Sequence, residues 1–183
     1  MTEESGARSK AEEAYVLFNK EFAKESERAK VILSAAMLDE ALAAVLRAHL
    51  VPCPASSDQI FDGANALLST FSARIDFCHR LGLISGKFAR DLHLIRKIRN
   101  QFAHNVSGCN FSDSAITNRV AELRKSFVTH FEYEKAKRNR QYSTPLETFA
   151  EVVGLMIVEL WSAMETMSSL TEASAEFFYV SNE

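Results

Sequence analysis

The chain has 183 residues and a net charge of -3, from 21 Lys and Arg against 24 Asp and Glu. Its 47% hydrophobic and 25% charged residues are the usage of an ordinary globular protein with one real core, and no apolar run is long enough to span a membrane. With 6 Gly and 3 Pro there is little room for turns between many short strands, so the expected fold is an all-α, single-domain helical bundle.

The first segment, roughly Ser9 to Glu25, sets Ala14, Val16, Leu17, Phe18 and Phe22 among charges and predicts an amphipathic helix. Ser26 to Leu50 is rich in Ala and Leu, with Ile32, Ala35, Leu38, Leu42, Val45 and His49 at helical spacing, and predicts the central core helix. Asp39 and Glu40 interrupt that run, so at least one of them needs a cationic partner. Val51 to Asp58 holds two of the three prolines and predicts a connection, with a further turn at Asp62-Gly63. A third helix is predicted from about Thr70 to Arg80. Leu81-Gly82-Leu83-Ile84-Ser85 then supplies a glycine stop and a serine start for a fourth, from about Gly86 to His104.

The third and fourth helices share the outline of a helix-turn-helix, with Arg90, His93, Arg96 and Lys97 on the second member. Phe88, Leu92, Ile95, Phe102 and Val106 commit one face of that member to packing, and direct sequence-specific DNA readout is not expected. Asp113 and Ser114 start a short fifth helix carrying Ile116, Val120 and Leu123. Beyond it, Lys135, Lys137, Arg138 and Arg140 lie between Tyr133 and Tyr142. Basic residues beside aromatics are candidates for holding nucleic acid, and the plainer reading is a solvated connector.

Thr144-Pro145-Leu146-Glu147 announces the last, long helix: a threonine cap, proline at the first helical position and a glutamate to close a capping box. Val152 to Trp161 is apolar on nearly all sides, which predicts burial in the core or in a two-fold dimer interface. The expected layout is a helical core over 1–125, a basic connector over 126–143 and, over 144–183, a C-terminal helix and tail that pack on the core or on a dimer partner, about six to seven helices in all. Charge is divided along it. Residues 1–73 carry 7 Lys and Arg against 11 Asp and Glu, 74–140 carry 14 against 6, and 141–183 carry none against 7. A basic middle suits a polyanion or the acidic end of the same chain.

Cys53, Cys78 and Cys109 are odd in number and far apart, which predicts reduced thiols in a cytoplasmic protein rather than disulfides or a zinc site. Cys78-His79 lacks further ligands at metal-binding spacing, and no phosphate loop, nucleophile elbow or paired-histidine zinc motif is present. No metal or cofactor is therefore expected.

The stretch with the most chemistry is Ile95 to Asn105, IRKIRNQFAHN, which sets Arg99, Asn100 and His104 at the end of the fourth helix. An arginine can bind a phosphate and a histidine can move a proton near neutral pH. The structural alternative is an ion pair and a helix cap. On a helical wheel Arg99 falls within the stripe of Phe88, Leu92, Ile95, Phe102 and Val106, so it is expected to point inward or into an interface beside a carboxylate, with Asp39, Glu40 and Asp76 as candidates. His104 lies about 140° further round, so the two meet only if the helix ends there or a second subunit contributes one of them.

Glu25 to Leu42 (ESERAKVILSAAMLDEAL), Leu67 to Ser85 (LLSTFSARIDFCHRLGLIS) and the RNQFAH run resemble the mannitol operon repressor (MtlR-like) family, over about residues 10–125. That resemblance implies an all-helical, dimeric regulatory protein that acts as a repressor through a protein partner, the family having no clear DNA-reading module. Arg99-Asn100-x-x-x-His104 also resembles the R-polar-x-x-x-H motif of the HEPN superfamily, helical bundles that include metal-independent ribonucleases. Under that resemblance Arg99 holds the scissile phosphate of RNA, His104 is acid or base and Asn100 orients one of them.

Overall fold

A computed structural model describes residues 8–105, 108–127 and 144–173, and these form six α-helices with no strand. Most of the helix starts are set by a capping side chain. Ser9 accepts from the N–H of Glu12 to open α1 (Lys10–Lys24), Ser26 from Ala29 to open α2 (Glu27–His49), Thr70 from Ala73 to open α3 (Phe71–Arg80) and Ser85 from Phe88 to open α4 (Gly86–His104). After α5 (Ser114–Phe127), Thr144 and Glu147 form a full capping box ahead of α6 (Pro145–Thr166). Such a cap contributes about 1 kcal/mol each time, enough to set a boundary. Lys135, Lys137, Arg138 and Arg140, like Tyr133, Tyr142 and Val106, lie outside the described residues.

The bundle is organised around α2 and α6. Helix α2 packs on α1, α3, α4 and α6, while α6 packs on α1, α2 and α5. Leu38, Leu42, Leu46, Val152, Val153, Met156 and Ile157 are all fully buried in these two helices. Gly154 brings α1 close: a Cβ there would sit 3.1 Å from Cε2 of Tyr15 and 3.4 Å from Cε1 of Phe18. The apolar segment Val152 to Trp161 is thus covered inside one protomer by three neighbouring helices, with Trp161 half-buried at its end. Of the two expected settings, core or dimer interface, the described residues show the core, with α1, α2 and α5 packed around this helix.

Three aromatic rings stitch the far side of α4 to α6. Phe111, in the turn before α5, has its ring centroid 5.4 Å from that of Phe102 and 5.3 Å from that of Phe149, both tilted contacts. The connection between α2 and α3 is folded around Arg47. Its guanidinium lies 4.0 Å over the Phe61 ring and pairs with Asp58 at 3.5 Å and Asp62 at 3.1 Å. Phe61 and Leu68 pin this link to the core.

Asp91 on α4 is the one charged residue buried among the described residues, at 2% exposure. Burial raises its carboxyl above the ordinary 3.8, against the lowering pull of a Ser126 hydrogen bond and of Arg90. A carboxyl whose folded pKa is raised stabilises the fold fully below its unfolded pKa, and that contribution is lost as pH rises through the folded pKa. Asp91→Asn should therefore gain in melting temperature relative to the parent as pH rises from acid to neutral. Thermal melts across that range check the sign; a difference between variant and parent that instead moves in the parent's favour as pH rises would show that the Arg90 pair outweighs the cost of burial.

Candidate functional site

Arg99, Asn100 and His104 occupy the last two turns of α4. The helix stays α-helical through His104 and is capped by Asn105, whose N–H donates to the carbonyl of Gln101 at 3.1 Å. The expected helix end is present. It does not bring the two side chains onto one face, since five residues of regular helix still turn them about 140° apart. Arg99 and Asn100 are half-buried and His104 is exposed.

The end of α4 is held from α2. Arg28 Nη2 donates to the carbonyl of Asn105 at 2.6 Å, and Glu27 Oε2 accepts from the N–H of Phe111 at 3.0 Å. A guanidinium on the last carbonyls of a helix is the favourable sign for its dipole. Neither contact is legible in the sequence, because both residues read as the ordinary polar first turn of α2.

The ion pairs differ from those expected for Arg99. Asp39 is an ion-pair member, and its partner is Arg74 of α3, with Nη1 at 2.9 Å from Oδ1. Arg74 also donates to the carbonyls of Leu68 at 2.8 Å and Asp39 at 3.3 Å, which locks α2, α3 and the link between them. Burial pushes the Asp39 carboxyl above its ordinary value; the charge and hydrogen bond of Arg74 oppose this, and Arg99 adds a weaker lowering pull through its charge. Asp76 pairs with His93, Oδ1 to Nε2 at 3.0 Å, and Glu40 lines a groove on the other side of α2. Among the described residues Arg99 makes no ion pair. Arg99 keeps its place on the wheel between the buried Leu92 and Ile95 and is half-buried, but the carboxylate within reach, Asp39, is already held by Arg74.

Of the cations on the helix-turn-helix outline, two are engaged. Arg90 Nη2 donates to Asp91 at 2.9 Å, to Ser126 Oγ at 2.8 Å and to the Glu122 carbonyl at 3.4 Å, tying α4 to α5, and His93 holds Asp76. Arg96 is half-buried and Lys97 exposed. A side chain fixed by three acceptors of its own fold is poorly placed to read a base edge.

The two buried thiols, Cys78 and Cys109, are poorly suited to reaction. Burial pushes the Cys78 thiol up to about 12, and burial together with a hydrogen bond to Asp113 raises Cys109. A raised thiol is a poor nucleophile and metal ligand. Among the described residues no three His, Cys, Asp or Glu side chains stand together as metal ligands, and no helix is long and apolar enough to cross a membrane.

Comparison with protein-family models finds no match, nor does comparison with curated proteins. The fold is similar to that of a chain in the X-ray structure of the MtlR-HPr complex from Escherichia coli, with a TM-score of 0.55 at 19% sequence identity, over 84% of this chain and 97% of that one. At such identity the likeness is one of fold: the described helices form an all-α, MtlR-like bundle.

Proposed function

We propose that this protein is a cytoplasmic regulatory protein that works by binding a protein partner, and that any repression it exerts runs through that partner rather than through direct reading of DNA. The observation that supports this most is the likeness of fold, over most of both chains, to a chain of a complex with HPr. HPr is the first partner to test. Isothermal titration of the full chain with HPr should give saturable binding at one site, and selection from a random-sequence duplex DNA library by the protein alone at physiological salt should enrich no sequence. Nanomolar sequence-specific DNA binding by the protein alone, without response to HPr, would overturn the reading.

A second reading has one observation in its favour: Arg99 lacks a carboxylate partner among the described residues, while His104 stands exposed at a helix end. An arginine left for an external phosphate and a histidine free to move a proton are what a metal-independent ribonuclease needs, with Asn100 orienting one of them. Because the two side chains diverge on one helix, this reading requires a dimer that sets Arg99 of one protomer beside His104 of the other. The basic cluster Lys135, Lys137, Arg138 and Arg140 would then add phosphate contacts. The test is incubation of single-stranded and structured RNA with the protein in chelator. Cleavage lost in His104→Ala at unchanged helicity supports it; intact RNA returns Arg99, Asn100 and His104 to a structural helix end.

A further inference from the structure

An apolar groove of about 510 Å³ lies between α1, α2 and α6. Ala14, Leu17, Ala36, Met37 and Trp161 form its apolar walls, with Lys10, Glu13 and Glu40 around it. Leu17, 51% exposed, presents its side chain in this groove beside Met37 and the half-buried Trp161, so the apolar wall is open to an occupant.

The course of the chain after α6 says what can cover it. Beyond Thr166 the backbone turns onto the end of α2, where the N–H of Leu170 donates to the carbonyl of His49 at 2.7 Å and the His49 ring lies 3.2 Å from the carbonyl of Ser168. The backbone N–H of Lys10 meets Glu165 at 2.5 Å, so the start of α1, the end of α2 and the end of α6 share one end of the bundle. The groove opens in that same half. From His49 back to Glu40 is nine residues of helix, about 14 Å at 1.5 Å per residue. From Ala173 to Phe177 is four residues, a reach of about 13 Å when extended. The sequence beyond Ala173 is SAEFFYVSNE, in which Phe177, Phe178, Tyr179 and Val180 form an unbroken apolar run.

We propose that the groove between α1, α2 and α6 is the docking site for the chain's own C-terminal segment, with Phe177, Phe178 and Tyr179 inserted against Leu17, Met37 and Trp161. Tethering favours this occupant over a free one, since a segment held a few residues from its site is present at an effective concentration in the millimolar range. The proposal stands apart from the partner reading above, because it concerns a contact made by the isolated chain.

Trp161 is the only tryptophan in the sequence and lines the groove, so its fluorescence reports occupancy directly. The full chain is compared with a version ending at Ala173 and with the Phe177→Ser, Phe178→Ser, Tyr179→Ser triple variant, each checked for unchanged helicity by circular dichroism. Both changed chains should show red-shifted Trp161 emission and increased quenching by acrylamide, and a synthetic SAEFFYVSNE peptide added in trans should reverse the effect on the shortened chain. The protection in the full chain should be independent of protein concentration. Unchanged emission and quenching on removal of the segment would overturn the proposal. So would protection that grows with concentration alongside a rise in mass by light scattering, which would assign the groove to a second copy.

Discussion

Arg74→Ala is expected to destabilise the protein by about 2–3 kcal/mol, and Arg99→Ala by less than about 1 kcal/mol. Both arginines act on the same carboxylate, so the contrast isolates what the tertiary structure has done with them. The Arg74 side chain is 15% exposed and holds the Asp39 carboxylate, 28% exposed, at 2.9 Å, while donating to two backbone carbonyls as well. Removing it leaves a half-buried carboxylate uncompensated and two acceptors short of a donor; breaking a fully buried pair costs about 3–5 kcal/mol, and partial exposure brings the figure down. Arg99 acts on Asp39 through its charge alone. For a chain of this length the Arg74 change should lower the melting temperature by about 4–12 °C, read by calorimetry. Equal melting of the two variants would mean that Arg99 shares the carboxylate.

Phe149→Ala is expected to cost more, about 3–5 kcal/mol. The side chain is fully buried on the first turns of α6 and its ring packs against Phe111, which in turn packs against Phe102 of α4. The loss has two parts: the transfer of a large apolar group and the cavity left among neighbours that cannot all collapse inward. Phe149→Leu keeps most of the volume and should cost markedly less. Denaturant unfolding of the two variants separates these parts. A Phe149→Ala variant as stable as Phe149→Leu would show that the turn carrying Phe111 closes the gap by itself.

Chemistry at the end of α4 is constrained by helix geometry. A histidine five residues from an arginine on a regular helix does not share its face. Dimerisation is therefore the necessary condition for chemistry at Arg99 and His104, and a partner-binding protein is the reading that needs least added. The apolar groove at the other side of the bundle is a separate surface, built from α1, α2 and α6, and none of its lining residues belongs to α4.

Helix positions in this protein were determined locally. Ser9, Ser26, Thr70, Ser85 and Thr144 each offer a side-chain oxygen to an N–H three residues on, and few glycines or prolines interrupt the helices they open, so the boundaries could be read to within a residue or two from the sequence. Which charge meets which was decided only in three dimensions. Asp39 lies 35 residues from Arg74, and the choice of Arg74 over Arg99 depends on how α3 and α4 are rotated against α2. The same holds for α6: a helix apolar on nearly all sides fits a core or an interface when taken alone, and the packing of α1 against Gly154 makes it a core helix. Hydrogen bonds of a cap are formed within one turn of chain, whereas ion pairs and covered faces join residues far apart in sequence, and only the packed bundle brings those together.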